Sequence, residues 1–544
     1  MSEFWATDTA LIYPGALPGH VAPFLPEATN LNDQFFAVPR TLRNSIVLRQ
    51  FNYPVPPVMD GYDFPIEPGK KPLPHQKIYA NFSVLHPKMF NLGDPGTMKT
   101  LSTLWAMDFV MQQFEPGACR ALIIAPLSIL ETVWGAAIFR NFPGRRTFKI
   151  LIGDEARRIK LLSEPADCYI INFDGIKVGS HVKRNAKRGE PRIQIDGFSA
   201  ALRDRKDIRM VIVDEASAYK DSTTYRHAIT RMVLGDRPYF WGLTGTPTPN
   251  APTDAFGLAK FVNNAFGKSI TGFRGETMIK VSQFKFVPQK DGYDKARRLL
   301  TPSVRFALDE VWDAPPMTFQ RRKVELTVEQ KKAYADLKRD LQVLAKSGAA
   351  IPAANEAAAR QKAIQISLGM IYDENHKTHV IDATPRYREL ADIIEGTQRK
   401  VVVFVVITGA LHLMMDYLRK QWKAAKLPWK CGFINGEVAA SKRPPIIKAF
   451  ESDPDFKVVF ADPQAAGHGI NEFVAADTVV WASATDKTEL FLQGNARVRR
   501  PGQLHPTTCF QMVSNKLEEE IFDRLEGNSG MQGLMLAAIR EGKF

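Results

Sequence analysis

Cysteine is scarce in this 544-residue sequence, and its spacing argues against two classes of site. The four cysteines stand far apart, with no C-x-x-C pair: Cys119, Cys168, Cys431 and Cys509. Such spacing indicates neither a zinc site nor a disulfide framework. The sequence therefore predicts a chain whose thiols stay reduced, as they do in the cytoplasm.

Long apolar runs are also missing. The longest one covers residues 401–407 and continues only raggedly to 415. It is shorter than the ~18 consecutive apolar residues that a membrane span needs. The first residues, Met1-Ser2-Glu3, lack the basic start of a secretory signal. We therefore expect a cytoplasmic protein without membrane contact, in which residues 401–407 form a buried strand.

Acidic residues are fewer than basic ones. The chain has 58 Asp and Glu against 72 Lys and Arg, a formal net charge of +14, which suits a polyanionic partner. Hydrophobic residues make up 45% and charged residues 24%, so the chain has an ordinary globular composition and is not disordered as a whole. Its length corresponds to about three to four domains. Nucleic acid is the first partner to consider.

The order of apolar and polar segments predicts an α/β protein with two lobes. Residues 1–70 are rich in Pro and aromatic residues, which predicts extended or turn-like chain, rather than helix, draped over the core. Short apolar runs that alternate with helical stretches then predict buried parallel strands. These predicted strands are residues 89–92, 121–125, 169–172 and 210–213 in the first lobe, and 401–407, 431–434, 457–461, 478–481 and 507–512 in the second.

A basic region separates the two lobes, and its pattern is helical. Thr327 and Gln330 have the spacing of a capping box, and apolar residues recur at helical spacing from Tyr334 to Leu344. Gly348 is expected to end this helix. The Ala-rich residues 349–363 predict a further helix or a hinge.

A glycine-rich segment follows the first predicted strand. Residues 93–100 read Gly-Asp-Pro-Gly-Thr-Met-Lys-Thr, which is G-x-x-x-x-G-K-[ST] with Met98 in place of the last Gly. In the complete motif, backbone N–H groups and a helix N-terminus bind phosphates, Lys brings charge to the β and γ phosphates, and the hydroxyl reaches Mg²⁺. Met98 fits if its backbone has right-handed helical dihedrals. The segment predicts ATP binding by Gly93, Gly96, Thr97, Met98, Lys99 and Thr100, and a glycine-rich turn that happens to precede Lys-Thr is the alternative.

A pair of carboxylates follows the predicted strand 210–213. Asp214 and Glu215 stand at the carboxyl end of this strand, which is the edge where α/β sheets hold ligands. Asp214 is expected to orient Mg²⁺, and Glu215 to polarise the attacking water. A solvated strand end followed by a helix cap would have the same residues. The catalytic interpretation therefore depends on the glycine-rich segment that precedes the pair.

The end of the chain contains a helix with regularly spaced polar residues. Asp486 and Glu489 are expected to cap it, and Pro501 to end it. Residues 493, 497 and 500 would then lie on one face. Two arginines on that face could reach a γ-phosphate held by the first lobe.

Several of these segments together resemble one family. Residues 243–250 contain Leu-Thr-Gly-Thr-Pro and a later Asn, residues 464–471 read Gln-Ala-Ala-Gly-His-Gly-Ile-Asn, and residues 493–503 match Q-x-x-x-R-x-x-R-x-G-Q. With the phosphate loop and the Asp-Glu pair, they resemble the superfamily 2 helicase-like ATPases of the Swi/Snf type over about residues 73–525. The Pro-rich start is similar to that of phage-encoded members, which would act in the cytoplasm of the host cell.

This resemblance implies a fold of two RecA-like lobes, each a parallel sheet flanked by helices, with a helical insertion and a Pro-rich N-terminal extension. The expected boundaries are 1–70 for the extension, 71–265 for the first, ATP-binding lobe, 266–382 for the basic insertion or linker, and 383–544 for the second lobe. ATP and Mg²⁺ are the implied cofactors, bound between the lobes.

The resemblance also implies a role for each matching residue. Catalysis would depend on Lys99, Asp214, Glu215, Arg497 and Arg500, and Mg²⁺ would be held by Thr100 and Asp214. Gln76 would read adenine, and Gly469 and Gln493 would complete the nucleotide site from the second lobe. Coupling of hydrolysis to motion would run through Thr244, Gly245 and Thr246.

The implied activity is translocation on double-stranded or branched DNA. Candidate backbone contacts are Pro126, Leu127, Ser128, Asn172 and Phe173, although Ser128 with Glu131 also has the spacing of a capping box. A basic cluster adds Lys183, Arg184, Lys187, Arg188 and Arg192, for which a solvated loop is the alternative. An RNA helicase and a nucleotide-gated scaffold with little hydrolysis remain alternatives. The sequence also leaves open whether strands are separated and whether the chain acts as a monomer.

Overall fold

The N-terminal region is a folded unit. In the computed structural model, the described residues are 4–32, 34–182, 193–281, 286–313, 315–346, 353–373, 377–439, 442–466, 473–485 and 487–527. The first elements are β1 (Trp5–Ala6), β2 (Ala10–Pro14), β3 (Thr29–Asn32), β4 (Phe35–Pro39) and α1 (Leu42–Gln50). The strands form an antiparallel sheet in the order β1-β2-β4-β3. Its own small core contains Leu11, Tyr13, Val38 and Leu48.

This unit corrects the expectation of turn-like chain without a helix. The stretch from Arg40 to Tyr53 contains no Pro, and Thr41 Oγ1 accepts a hydrogen bond from the Asn44 N–H (3.2 Å), so a capped helix forms. The following segment, residues 53–72, is extended chain with turns at 58–61 and 68–69, as predicted, and lies on the first lobe. There Tyr62 donates to Asp108 Oδ2 (2.5 Å), and Trp105 Nε1 donates to the carbonyl of Pro65 (2.7 Å).

The first lobe is built around a seven-stranded parallel sheet. Its elements are α2 (Pro74–Leu85), β5 (Lys88–Asn91), α3 (Lys99–Met111), β6 (Arg120–Ala125), α4 (Ala136–Asn141), β7 (Phe148–Ile150), α5 (Glu155–Ser163), β8 (Cys168–Asn172), β9 (Ser180–Val182), β10 (Ile193–Ile195), α6 (Gly197–Asp204), β11 (Ile208–Asp214), α7 (Tyr225–Leu234), β12 (Tyr239–Leu243), α8 (Asp254–Val262), α9 (Ile270–Thr277), β13 (Met278–Lys280), β14 (Phe286–Pro288), α10 (Gly292–Leu299) and β15 (Ser303–Val304). The sheet order is β15-β5-β12-β11-β6-β8-β7.

This order places the motifs at one edge of the sheet. Because β5, β12 and β11 are parallel neighbours, the segments that follow them emerge side by side at their carboxyl ends. The central strands are buried apolar runs, as the sequence predicted.

The second lobe repeats this architecture with six parallel strands. After the short helix α11 (Leu308–Val311), its elements are β16 (Met317–Lys323), α12 (Val328–Lys346), α13 (Ala353–Ser367), β17 (Met370–Tyr372), β18 (Thr378–Val380), α14 (Thr384–Glu395), β19 (Lys400–Phe404), α15 (Thr408–Ala424), β20 (Lys430–Ile434), α16 (Arg443–Ser452), β21 (Phe456–Ala461), α17 (Pro463–Ala466), β22 (Ala476–Trp481), α18 (Thr488–Val498) and β23 (Thr507–Val513). The sheet order is β16-β23-β22-β19-β21-β20. The predicted fold class, two RecA-like α/β lobes, is confirmed.

The region between the lobes differs from a purely helical insertion. Strand β15 extends the first sheet beside β5, whereas β16 forms the edge of the second sheet beside β23. The predicted helix after Thr327 is present as α12, and its capping box is formed, with Gln330 N–H donating to Thr327 Oγ1 (3.2 Å). The end of this helix at Gly348 lies outside the described residues. None of the helices in the described ranges is long and apolar enough to cross a membrane.

Candidate nucleotide site between the lobes

The glycine-rich loop joins β5 to α3 and holds a lysine against its own backbone. Gly96 has a φ of +90°, a conformation that glycine adopts without a steric cost. Lys99 Nζ donates to the carbonyl oxygens of Gly93 (2.7 Å) and Asp94 (3.0 Å). Burial lowers the pKa of Lys99, and the neighbouring carboxylates, first of all Glu215, oppose this shift. The ammonium group is therefore close enough to the carboxylates of Glu215 and Asp214 to interact with them electrostatically.

Met98 has a backbone conformation opposite in hand to the expected one. Its φ and ψ are +57° and 40°, which is left-handed, and it forms the N-cap of α3. The left-handed conformation costs a residue with a Cβ roughly 1–2 kcal/mol. The expectation of right-handed dihedrals is thus wrong. The loop needs a left-handed residue just before α3, and the glycine of the complete motif would adopt that conformation easily. The Met98 side chain is 44% exposed and does not fill the core.

The two carboxylates at the end of β11 have different environments. Asp214 Oδ2 accepts a hydrogen bond from Trp134 Nε1 (2.9 Å), and its Oδ1 accepts one from the Glu215 N–H (3.1 Å). Glu215 has a left-handed backbone, with φ +53°. Burial, followed by the charges of Asp214 and Glu489, raises the pKa of Glu215 to about 8. Strained residues of this kind cluster at functional sites.

Trp134 reaches Asp214 from an irregular helix. Residues Leu130–Gly135 form a π-helix, preceded by a 3-10 turn, Leu127–Ile129. Ser128 lies inside that turn, and the π-helix begins after Ile129 without a side-chain cap, so the predicted capping box with Glu131 does not form. Single π-helical turns are frequent at functional sites.

A cavity of about 210 Å³ joins these residues to the second lobe. The first lobe lines it with Pro95, Gly96, Met98, Lys99, Thr100, Ile129, Val133, Asp214 and Glu215, and the second lobe with Gln493, Ala496, Arg497 and Arg500. Helix α18 ends at Val498, three residues before Pro501, so Arg500 extends from beyond the helix. The expectation that Arg500 shares a helical face with Gln493 and Arg497 is therefore wrong, although all three line the cavity. The fold thus brings the predicted catalytic residues of both lobes to one cavity.

Two predicted phosphate-loop residues support the loop internally. A Cβ at Gly93 would lie 1.9 Å from the Tyr79 hydroxyl oxygen, so any side chain there would have to displace the buried Tyr79 ring. Thr97 is buried and donates through Oγ1 to the Asp94 carbonyl (2.8 Å).

Gln76 is placed differently from the cavity residues. Its Oε1 accepts a hydrogen bond from the Leu73 N–H (3.0 Å), which caps α2. Gln76 is not among the described residues that line the cavity. The neighbouring His75 Nε2 lies 3.2 Å from the Thr97 carbonyl oxygen, which connects α2 to the phosphate loop. Adenine recognition by Gln76 stays a prediction.

The predicted coupling segment lies directly against the phosphate loop. A Cβ on Gly245 would lie 2.7 Å from Pro95 Cδ. Thr244 N–H donates to the Asn91 carbonyl (3.0 Å), and Thr246 N–H donates to Thr244 Oγ1 (3.1 Å). The segment Thr244–Thr246 therefore packs directly against Pro95 of the phosphate loop. Its role in coupling stays a prediction.

The comparisons with known proteins agree with this geometry. The model of the SNF2-related domain matches residues 92–379, which is more than half of the chain. The chain belongs to this SNF2-related family. The family that the motifs predicted is therefore confirmed.

Relatives of this SNF2-related chain come from different organisms. The lymphoid-specific helicase of Homo sapiens is 26% identical over 138 residues, 25% of this chain and 16% of that protein. Chromodomain-helicase-DNA-binding protein 7 of Gallus gallus is 24% identical over 360 residues, 61% of this chain and 11% of that protein. The chain thus spans only a small part of these two relatives.

Other comparisons cover more of the SNF2-related chain. Protein p41 of Acyrthosiphon pisum secondary endosymbiont phage 1 is 22% identical over 498 residues, 86% of this chain and 98% of that protein. A solved structure, the Sulfolobus solfataricus SWI2/SNF2 ATPase core in complex with dsDNA, has a TM-score of 0.39 and 19% sequence identity, and covers 87% of this chain and 96% of that one.

The candidate DNA contacts of the SNF2-related chain follow two paired strands. Pro126, Leu127 and Ser128 come after β6, and Phe173 follows Asn172 at the end of β8, so they share one edge of the first sheet. Leu127 is 65% exposed. The basic cluster Lys183, Arg184, Lys187, Arg188 and Arg192 lies outside the described residues, as do Gly469 and Asp486.

Sequence reasoning missed two residues of this SNF2-related site. Trp134 contacts Asp214, and Glu489 accepts a hydrogen bond from Ser217 Oγ (2.9 Å) in the other lobe. The acidic residue four positions before Gln493 was visible in the sequence, but it suggested a helix cap. Nothing in the sequence pointed to Trp134, because its position depends on the π-helix.

Proposed function

We propose that this SNF2-related chain hydrolyses ATP between its two lobes and uses the cycle to move along or remodel DNA. The observation that carries the proposal is the shared cavity, in which Lys99 of the phosphate loop and Arg497 and Arg500 of the second lobe face one space. Residues so far apart in sequence meet there only when the lobes close on each other.

The side chains around the cavity fit a nucleotide with its metal ion. Lys99 offers a cation beside the loop, and Thr100 and Asp214 offer a hydroxyl and a carboxylate, which suit Mg²⁺. Gln493 Oε1 is buried, lines the cavity and has no hydrogen-bond partner among the described residues. Within those residues, no group of three or more His, Cys, Asp and Glu is arranged to hold a metal ion, so phosphate oxygens would complete the coordination.

Each residue has a chemical task in this proposal. Mg²⁺, when bound, neutralises charge on the phosphates. Lys99 turns from the carbonyls of Gly93 and Asp94 to the phosphates, and Glu215 orients the attacking water together with the acceptor oxygen of Gln493. Arg497 and Arg500 stabilise the charge that develops on the transferred phosphoryl group. Loss of this contact after hydrolysis would let the lobes separate and step along the nucleic acid.

Charge and similarity support DNA as the partner. The net charge of +14 suits a phosphate backbone, and a relative is named as a DNA-binding helicase. One chain supplies both sides of the cavity, so a monomer suffices. The similarity to a phage protein supports a phage origin and action in the cytoplasm of the host cell.

Steady-state ATPase assays test the proposal. Phosphate release is measured with no nucleic acid, with single-stranded DNA, duplex DNA, a fork and duplex RNA, with Lys99→Ala as the inactive control. We expect the greatest stimulation by duplex or forked DNA. Greater stimulation by RNA would favour the RNA helicase alternative, and the absence of multiple turnovers on every substrate would favour the nucleotide-gated scaffold.

A further inference from the structure

Glu489 connects the two lobes, and the proposed mechanism assigns it no role. Its Oε1 accepts a hydrogen bond from Ser217 Oγ (2.9 Å), and its Oε2 lies 3.9 Å from Lys220 Nζ. Ser217 is 2% exposed and follows Asp214 and Glu215 after a single residue, whereas Glu489 is 272 positions later in the chain. The contact therefore ties the segment after the catalytic carboxylates to the second lobe.

The same carboxylate also orients the helix that carries an arginine of the site. Glu489 lies in the first turn of α18, and Gln493 Nε2 donates to its Oε1 (3.4 Å). Positions 489, 493 and 497 are spaced by four residues and share one face of the helix. That face is the one that meets the first lobe, because Gln493 and Arg497 line the cavity.

We infer that Glu489 is a positioning residue that docks α18 onto the segment Ser217–Lys220 and so places Gln493, Arg497 and Arg500 against the nucleotide. The inference rests on the proposed function, since it assigns Glu489 to the same closed arrangement of the lobes. The hydrogen bond from Ser217 holds the first turn of α18 against the first lobe. The ion pair between Glu489 and Lys220 adds an electrostatic attraction between α18 and the first lobe.

The contacts of Glu489 argue against an indifferent surface glutamate. Its side chain is only 25% exposed, and its Oε1 accepts hydrogen bonds from Ser217 of the first lobe and from Gln493 of its own helix. A negative charge elsewhere in the first turn would complement the helix dipole equally well. Helix stability alone therefore does not require a carboxylate at this interface.

The test compares ATPase kinetics of full-length variants with saturating duplex DNA. For Glu489→Ala we expect kcat to fall by about tenfold or more, because small displacements of catalytic groups can cost ~10² in rate. The KM for ATP should change by less than about twofold, since first-lobe binding of the phosphates is kept. Glu489→Gln keeps an oxygen that accepts from Ser217 and loses the ion pair, so its kcat should lie between those of Glu489→Ala and the wild type.

A double-mutant cycle with Ser217→Ala isolates the contact. If Ser217 acts through Glu489, the double variant should be no slower than Glu489→Ala alone. The matched control is Glu395→Ala, which removes an exposed glutamate at the end of α14 in the same lobe and should leave kcat unchanged. If Glu489→Ala does not fold, the same kcat measurements and the same double-mutant cycle are made with Glu489→Gln and Ser217→Ala.

Two results would overturn this inference while leaving the proposed function intact. One is a kcat within twofold of wild type in every Glu489 variant, although Arg500→Ala is inactive. The other is a fully additive effect of Ser217→Ala and Glu489→Ala. A wild-type protein without DNA-stimulated turnover, in contrast, would overturn the proposed function itself.

Discussion

Trp134 donates its indole N–H to Asp214 Oδ2 over 2.9 Å, although 80 positions separate the two residues in the chain. The tryptophan is fully buried, and the second oxygen of the carboxylate accepts the neighbouring Glu215 N–H. Both oxygens of Asp214 therefore have a fixed donor, which sets the orientation of the carboxylate toward the cavity. Outer hydrogen bonds of this kind tune the residues that contact a metal ion.

Trp134→Phe should weaken the use of Mg²⁺. Without the indole donor, Asp214 can rotate, and loss of such a partner typically costs about 10–100-fold in metal affinity or activity. We expect the Mg²⁺ concentration for half-maximal ATPase to rise by at least about tenfold. The control is Trp422→Phe, because Trp422 is also buried but its Nε1 has no hydrogen-bond partner among the described residues. An equal Mg²⁺ requirement in the two variants would contradict the role of Trp134.

Met98→Gly should preserve nucleotide binding and should not destabilise the protein. Glycine removes a left-handed strain of roughly 1–2 kcal/mol, and its greater freedom in the unfolded chain returns about 0.4–1 kcal/mol. We expect the free energy of unfolding to stay the same or to rise by up to about 1.6 kcal/mol. Urea unfolding and titration with a fluorescent ATP analogue measure the two effects.

Met98→Ala is the matched control for this change. Alanine removes the side chain but keeps the Cβ, and therefore keeps the strain. The glycine variant should be at least as stable as the alanine variant and should bind ATP equally well. Loss of ATP binding in the glycine variant alone would contradict the view that Met98 merely tolerates this conformation.

The sequence predicted the sheets well because buried parallel strands are continuous apolar runs. Residues 210–213 lie within β11, and residues 478–481 lie within β22. Strand β16 was not predicted, since Met-Thr-Phe-Gln-Arg-Arg-Lys is polar and mostly exposed at the sheet edge. The motifs likewise predicted many of the residues that line the cavity from both lobes, but Gln76, Gly93 and Thr97, which were predicted for the same site, are not among its lining residues.

The details of the site depended on geometry that no local pattern records. The hand of the Met98 backbone follows from how the loop enters α3, and the Trp134 contact follows from a π-helix. The bond between Ser217 and Glu489 joins two lobes, and local spacing at Glu489 suggested only a helix cap. Each of these features arises from tertiary packing rather than from residue type.

Glu215→Gln should stop turnover and stabilise the nucleotide-free protein at higher pH. In the folded protein the pKa of Glu215 is about 8, against an ordinary value of 4.5. Between pH 4.5 and 8, folded wild type holds a proton that the unfolded chain has lost, so this group makes stability fall as pH rises through that window. The variant lacks this dependence.

Thermal midpoints of the two proteins in EDTA measure this effect. The midpoint of Glu215→Gln minus that of wild type should increase from pH 5 to pH 8. ATP and DNA should still bind, while phosphate release stalls. A difference that does not change with pH would contradict the assignment of the raised pKa to this carboxyl group, and normal phosphate release would contradict its catalytic role.

DNA binding should weaken steeply with salt. Contacts from Lys and Arg to the phosphate backbone release counterions, with a slope of about −0.9 in log affinity against log salt for each phosphate neutralised on B-DNA. Fluorescence anisotropy with a labelled duplex between low and physiological salt measures the slope, and ATP affinity without DNA is the control. A slope near zero would mean that the charge of +14 serves solubility alone.

Arg500→Ala tests the two-lobe mechanism most directly. Arg500 lines the cavity opposite Lys99 and Glu215, and it extends from beyond the end of α18. An arginine that stabilises the transferred phosphoryl group is worth about 10³–10⁵ in rate in other enzymes. We therefore expect a large loss of kcat, with ATP affinity and thermal midpoint close to wild type. Arg500→Lys should recover little, because an ammonium group does not reproduce the planar guanidinium fork.

The adjacent arginine provides a control within the same segment. Arg499 turns away from the nucleotide cavity: its Nη2 lies 2.6 Å from Asp309 Oδ1, and its Nε donates to the Pro315 carbonyl (3.2 Å). Arg499→Ala should therefore act through the link between the lobes, with a lower thermal midpoint and a smaller loss of kcat than Arg500→Ala. A cation that only stabilised a helix end would contribute about 0.3–1 kcal/mol and nothing specific to turnover. If Arg500→Ala lowers the thermal midpoint but turns over ATP normally, the arginine has that structural role, and hydrolysis does not depend on the second lobe in the way proposed.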